Sequence, residues 1–339
     1  MKKILLTALF LLAVIAGKAK NEITVLQWNV WQEGTMVPGG YDAIVNEIAR
    51  LKPDFVTFSE VRNYNKTNFT ARICESLKEK GLGYYSFYSY DTGLLSKHPI
   101  TDSLTVFPEK EDHGSIYRLT TSVDGRKVAV YTAHLDYLNC AYYDVRGYDG
   151  STWKERPIPT SVDEILKINV ASQRDDAIKL FIEQANKDIA AGYNVIVGGD
   201  FNEPSHKDWI EANKNLYDHH GFVILWTVTT LLDKAGFIDT YRQLYPNPLT
   251  HPGFTYPSDN LAKDPLKLTW AAKADERDRI DFIFYKGKGL KATKAIIFGP
   301  KESIVYGKRV MESSKDQFLL PLDVWPTDHK GLLVTFKLK

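Results

Sequence analysis

In the stretch VIVGGDFNEP, Val195 to Pro204, a run of β-branched residues passes through two glycines into an acid, an aromatic ring, an amide and another acid. Side chains two apart on extended chain share a face, so the Asp200 carboxylate and the Asn202 carboxamide can enter one cavity. An acid that takes a proton or holds positive charge, beside an amide that donates to oxygen, suits phosphate chemistry or a hard cation. Comparable groups stand near the ends of other apolar runs: Asn29 in ITVLQWNV, Glu60 after FVTFS, His134 with Asp136 after VAVYTA, Asp281 in RIDFIFY, and Asp328 with His329 before GLLVTF. Buried charges are costly unless paired or metal-bound, so their convergence at one rim would require a cation or a mutual network. Each has a plainer explanation by itself. Asn29 can be a turn residue, Glu60 a solvated acid, His134 a strand cap, Asp281 a partner of the nearby Arg277 or Arg279, and Asp328–His329 a simple turn. Asp136 is assigned to structure, and Arg118 to a salt bridge rather than to steering an anion.

The elements that must position these groups follow from periodicity. Ile23–Val30 reads as a strand, and Tyr41–Leu51 as a helix with Ile44, Val45, Ile48 and Leu51 on one face. Phe55–Phe58 is a further strand, ending on Ser59–Glu60. From Tyr84 to Val130 short strands are punctuated by glycine and proline, with a hairpin turn at Asp124–Gly125. Val128–Leu135 is a strand. Ala171–Ala191 is a helix with an inner stripe of Ile178, Phe181, Ile182, Ala185 and Ile189. Val195–Gly199 is a strand that glycine stops, Thr229–Gly236 a helix, and Arg279–Tyr285 and Leu332–Lys337 late strands. Asn139–Pro159, rich in Tyr, Gly, Asp and Pro, has no usable period and is expected to be a long loop or lid over the site. Helices mixed with hairpins and strands indicate a layered α/β protein.

The first 19 residues, with Lys2 and Lys3 ahead of an apolar stretch and small residues at its end, have the pattern of a secretory signal peptide and are too short to span a bilayer. The expected mature chain is one domain over residues 20–339, exported to a periplasmic or extracellular space, without a transmembrane segment and monomeric. Loss of three leader lysines from 43 basic residues leaves slightly fewer than the 42 acids. That balance gives no basic footprint for nucleic acid, although local patches outweigh sums. Cys74 and Cys140 either pair, contributing about 4 kcal/mol through a long loop, or stay as two buried thiols.

Taken together, LQWNV, FVTFSEV, YTAHLD, VGGDFNEP, GFTYPS, RIDFIFY and TDHKGLLVTF resemble, in order, the motifs of the endonuclease/exonuclease/phosphatase superfamily, the metal-dependent phosphoesterases related to DNase I. The resemblance covers nearly the whole mature chain; GDFN, RIDFIF and the late Asp-His are its specific elements. It implies a DNase I-like four-layer α/β/β/α sandwich of two mixed β-sheets with the site at one edge. It implies Glu60 as principal ligand of Mg²⁺ (or Mn²⁺), with Asn29 beside it and Asp328 as a further ligand. Asp200 would be the general base, Asn202 and His134 donors to the phosphate, and His329 a second imidazole held by Asp281, with Asp328 pointing elsewhere if the strand end is extended. Trp31 departs from the pattern: it stands where AP endonuclease-like members carry another acid, which argues against a second metal there. His134 aligns with the DNase I, phosphatase and sphingomyelinase branches. The expected activity is hydrolysis of a phosphodiester, or of a phosphomonoester, by activated water. The substrate is a small molecule, a lipid headgroup or a nucleic acid. An extracellular nuclease is the alternative within the class, and a catalytically silent binding module the alternative outside it.

Overall fold

Continuous apolar runs, rather than alternating ones, arise when both faces of a sheet are covered, and the strands of this protein show why. The computed structural model describes residues 22–108, 110 and 113–339; the expected leader, residues 1–19, lies outside the described residues. The first of two six-stranded sheets runs, in spatial order, Phe318–Leu319 (β13), Leu290–Phe298 (β10), Gly331–Leu338 (β14), Glu22–Asn29 (β1), Phe55–Val61 (β2) and Asp91–Ser96 (β3). The second runs Ile100–Phe107 (β4), Gly114–Val123 (β5), Arg126–Leu135 (β6), Asn194–Asp200 (β7), Asp281–Lys286 (β9) and Ile238–Asp239 (β8). A separate hairpin joins Glu302–Val305 (β11) to Lys308–Met311 (β12).

The period of two sorts each strand between two cores. On β6, Val128 and Val130 enter the core between the sheets, whereas Ala129, Tyr131 and Ala133 enter the core on the outer face. On β7, Ile196 faces inward and Val195 and Val197 outward. That outer face is closed by Arg174–Ala190 (α5), through Ile178, Phe181 and Ala185, and by Thr227–Lys234 (α6), through Val228 and Leu232. Ile182 and Ile189 of the expected stripe are only partly buried. The first sheet is covered by Gly40–Leu51 (α1) and Phe69–Glu79 (α2), whose Ile44, Ile48, Phe69, Ile73 and Leu77 pack with Leu26, Trp28, Val56 and Phe58. The layers are therefore helix, sheet, sheet, helix, as the motifs implied.

The segment 139–159 is a long, largely irregular stretch whose Tyr142, Tyr143 and Trp153 line a cleft, but it is packed rather than loose. It contains a single helical turn, Ala141–Asp144 (α3), and its Cys140, Tyr142, Tyr143 and Val145 are buried with Trp209, Trp226 and Tyr256 in a fourth core. The buried Arg174 guanidinium fastens its start by donating to the carbonyls of Asp136, Leu138 and Asn139 at 2.7, 2.8 and 2.8 Å. A further helix, Val162–Asn169 (α4), capped by the Ser161 hydroxyl accepting from the Glu164 N–H at 3.2 Å, follows it. Tyr241 of the short helix Thr240–Leu244 (α7) packs into the inter-sheet core. Both cysteines are free thiols. Cys140 lies in the fourth core while Cys74 packs against the core of α1 and α2, so they do not pair.

Candidate active site

Strand direction brings the chemistry to one edge. β1 and β2 are parallel, and so are β6 and β7, so their C-terminal ends deliver Asn29, Glu60, His134 and Asp200 together. β3, β9 and β14 run antiparallel to these neighbours and begin at the same edge, so Asp91, Asp281 and the turn carrying Asp328 and His329 arrive there from the other end of their strands. Two glycines allow close approach, Gly198 between the two sheets and Gly199 between β7 and β6 within one sheet. A Cβ at Gly198 would stand 2.4 Å from Thr57 Oγ1 across the inter-sheet gap, and one at Gly199 would stand 2.2 Å from the Ala133 carbonyl oxygen.

Several residues at this edge have left-handed backbone: Trp31, Gln32, Glu60, Asp91 and Asn202 have φ between 39° and 64°. Non-glycine residues adopt that region at a cost and persist there where surrounding structure holds them, a pattern associated with functional sites. At Glu60 the cause is visible. The register of β2 against β3 shifts between Ser59 and Val61, and the bulge turns Glu60 out of the ladder into the cleft.

Asp200 is the hub. Its Oδ2 accepts from Asn29 Nδ2 at 3.0 Å and lies 3.7 Å from His329 Nε2 and 3.9 Å from His134 Nε2. Its Oδ1 accepts from the Asn202 N–H at 2.9 Å, and its own N–H donates to Ser59 Oγ of the other sheet at 3.1 Å. Each imidazole is held from behind by a buried acid: His134 Nδ1 donates to Asp91 Oδ2 and His329 Nδ1 to Asp281 Oδ2, both at 2.9 Å. Asn202 Nδ2 donates to the Leu135 carbonyl at 2.8 Å and sits 3.2 Å from His134 Nε2.

The electrostatics follow this geometry. Burial opposes charge on His134, but Asp91, then Asp200 and Glu60, outweigh it and push the pKa up to about 9. Burial likewise opposes charge on His329, and Asp281 and Asp200 raise its pKa to about 10. Burial and then the charge of Asp281 raise Asp200 to about 6, against the pull of the two imidazoles. Burial and the charge of Glu60 raise Asp328 to about 7, with His329 opposing.

Asn29 stands beside Glu60: its Nδ2 donates to Glu60 Oε1 at 3.0 Å as well as to Asp200, while its Oδ1 accepts from the Trp31 N–H at 2.9 Å and keeps a second lone pair. It bridges two carboxylates. Asp328 does not point away: it and His329 both line the cleft, because the chain bends there, with the His329 N–H on Thr327 Oγ1 at 3.2 Å and the Trp325 indole N–H on the His329 carbonyl at 3.1 Å. Asp281 pairs with neither neighbouring arginine; Arg279 binds Asp208 and Asp239, and Arg277 binds Asp275 and Glu312. Asp136 accepts from the Gln173 and Leu138 N–H groups at 2.9 and 3.0 Å, and Arg118 pairs with Asp188 and Asp102, so both are structural.

Sequence reasoning missed Asp91, which opens an apolar strand as an ordinary turn acid would. It also missed Ser59, Gln27 and Thr255; the last two position Asp281, Gln27 Nε2 at 3.4 Å from its Oδ1 and Thr255 Oγ1 at 3.1 Å accepting from its N–H. Arg62, ion-paired with Asp91 at 2.9 Å, was likewise unsuspected. The cleft of about 260 Å³ above these groups is walled largely by aromatic rings, including Trp31, Tyr142, Tyr143, Trp153, Tyr256 and Trp270.

For a cation, distance alone gathers Asp200, Asp281 and His329, whose ligand atoms lie within 4.8 Å of one another. Asp281 and His329 are however spent on each other. The better donor set is Glu60 with Asp328, two hard oxygen groups on one cleft whose mutual repulsion a divalent ion would relieve.

The fold has counterparts in known proteins. Truncated TDP2 of Caenorhabditis elegans is 18% identical, with 93% of this chain and 98% of that chain covered at a TM-score of 0.54. TDP2 of D. rerio complexed with a single-strand DNA product is 17% identical, with 93% and 98% covered and a TM-score of 0.51. The catalytic domain of human Nocturnin with bound sulfate is 16% identical, with 94% and 95% covered and a TM-score of 0.51. A C. elegans relative, "Uncharacterized protein F14F9.5", is 26% identical over 271 residues, 79% of each chain. Residues 26–329, which run from β1 through the His329 turn, match the sequence model described as the Endonuclease/Exonuclease/phosphatase family. With the sandwich, the edge site and that match in hand, the chain belongs to the Endonuclease/Exonuclease/phosphatase family and is a phosphoric ester hydrolase.

Proposed function

We propose that this protein is an exported, monomeric, metal-dependent phosphodiesterase in which Asp200 activates the attacking water. The observation that carries the reading is the placement of Asp200 Oδ2 between two imidazole Nε2 atoms, at 3.7 and 3.9 Å, each imidazole fixed from behind by its own acid. Asp200 takes one proton of the water as its oxygen bonds to phosphorus, while the ester P–O bond breaks with its electron pair on the departing oxygen, which takes a proton from solvent to leave as the alcohol. Asn29, donating to Asp200 and Glu60 at once, fixes the base relative to the cation side of the cleft. His134, His329 and Asn202 supply hydrogen bonds to the phosphoryl oxygens as negative charge grows there. Positive rings at His134 and His329 suit a substrate that already carries a negative charge.

Glu60 and Asp328 would hold Mg²⁺ or Mn²⁺, which when bound supplies charge neutralisation at the phosphoryl group. The export reading rests on the leader pattern of residues 1–19.

A nuclease is the second reading, supported by the likeness to a TDP2 complexed with a single-strand DNA product. The near balance of basic and acidic residues weighs against long nucleic acid. The test is an assay with Mg²⁺ and with Mn²⁺ on bis-p-nitrophenyl phosphate, DNA, RNA, sphingomyelin and inositol phosphates, run for the wild type and Asp200→Asn together. Cleavage of a diester that Asp200→Asn abolishes is expected. Turnover unchanged by the substitution refutes the assigned base.

A further inference from the structure

Resting on that reading of the site, we propose that Trp270, backed by Trp153, is a stacking subsite for a nucleobase carried by one of the two alcohols of the phosphodiester. The two tryptophans come from distant segments, yet their rings stack at 5.0 Å between centroids and 29° between planes, and both line the catalytic cleft. Trp270 is 53% exposed, so a large apolar ring is kept in water at the mouth of the site.

The wall is held in place before any substrate arrives. Trp153 sits at φ 59°, a conformation strained for a bulky residue, with its N–H on the Asp149 carbonyl at 2.9 Å. Glu276, 1% exposed, accepts from the Trp270 and Ala271 N–H groups at 3.3 and 3.2 Å and from the Thr269 hydroxyl. One buried carboxylate thus pins the loop that carries Trp270. Tyr143 packs edge-on against Trp153 at 5.0 Å and stiffens the pair from behind.

The charges around the cleft narrow the ligand. Arg62 lines it but is already paired with Asp91, and Lys263 lies over the Trp31 ring at 5.7 Å. A strand of several phosphates is usually tracked by a row of cations, whereas a single base is held by a ring at its face. A cleft of about 260 Å³ suits one phosphoryl group and one ring.

The experiment measures kcat/KM on thymidylyl-(3′,5′)-thymidine and on its two analogues in which one or the other base is replaced by hydrogen, with products separated by chromatography. The wild type is expected to lose about 10- to 100-fold on at least one analogue. Trp270→Ala should lose the same factor on the full dinucleotide and less than about twofold on that analogue, and Trp270→Phe should recover most of the loss. Equal rates of wild type on base-bearing and abasic diesters, or an equal loss by Trp270→Ala on both, overturn the subsite. Bis-p-nitrophenyl phosphate run alongside separates the two ideas. Its cleavage with indifference to the base leaves the phosphodiesterase reading standing and removes only the subsite, whereas no cleavage of any diester removes both.

Discussion

Gly198→Ala tests whether the closeness of the two sheets sets the site. The added Cβ would meet Thr57 Oγ1 at 2.4 Å, Thr57 Cβ at 3.3 Å and Gln27 Oε1 at 3.4 Å. The first contact is roughly an ångström inside ordinary packing distance. Thr57 cannot turn away freely, since its hydroxyl donates to Gln27 Oε1 at 2.6 Å. The sheets must therefore part locally, at a cost of about 1–3 kcal/mol. Two residues further along β7, the bonds from Asn29 Nδ2 to Asp200 at 3.0 Å and from the Asp200 N–H to Ser59 Oγ at 3.1 Å cross the same gap, and parting would stretch both. A displacement of that size near reacting groups costs about 100-fold in turnover. Thr57→Ala removes the offending oxygen and by itself forfeits one buried hydrogen bond, about 1 kcal/mol. In the double variant the closest remaining contact at position 57 is 3.3 Å, which small shifts accommodate. Urea melts and kcat on a phosphodiester, measured for both single variants and the double, should show coupling of about 1–2 kcal/mol and recovery of most of the lost rate. Strictly additive stabilities, or full activity in Gly198→Ala, would refute the claim that this approach positions Asp200.

Asp281→Asn leaves the shape of the site but removes the anion behind His329, so kcat should fall by about 10²-fold or more with unchanged circular dichroism; unaltered kcat would exclude Asp281 as the group that positions that ring. Asp91→Asn should act in the same way through His134. Glu60→Gln should move the Mg²⁺ activation curve to concentrations about tenfold higher or more, and a curve that does not move would remove Glu60 from the cation site. His219 lies stacked on Trp209 at 3.7 Å, and burial and the nearby Arg146 depress its pKa to about 2. The unfolded chain takes up this proton near the ordinary value of 6.5 and the folded chain does not, so stability is fully present above about 6.5 and lost below it. His219→Phe should flatten the wild-type decline, which for this group amounts to about 2 kcal/mol at pH 5; identical slopes in chemical melts at pH 7 and pH 5 would sink the assignment.

The parts legible in the sequence are those whose cause is local. A β-branched run stopped by glycine marks β7, a helical stripe marks α5, and Asp124–Gly125 marks the turn between β5 and β6, because each depends on residues within a few positions. Asn139–Pro159 was opaque for a physical reason. Its order comes from Arg174 capping its carbonyls and from aromatic rings packing side by side, neither of which leaves a period in the chain. Arg279 and Asp281 show the same limit at short range. Two apart near one strand, they invite pairing, yet the strand starts at Asp281, and Arg279 in the preceding segment turns to Asp208 and Asp239.

Convergence of the site depends on strand direction, which no single segment encodes. Asn29, Glu60, His134 and Asp200 leave parallel strands at their ends, where a polar residue after an apolar run attracts notice. Asp91 enters at the start of β3, where an acid after Ser89–Tyr90 looks like turn chemistry, and only the antiparallel register with Val61 sets it behind His134. Asp281 and His329 also arrive at strand starts; they stand out beside their apolar runs and take their roles from the motif resemblance, a route that Asp91 lacks. Two imidazole–acid pairs from two sheets, facing one carboxylate from both sides, therefore follow from alternating strand polarity as much as from residue type. Reversing either sheet's connectivity would scatter the same residues to opposite edges.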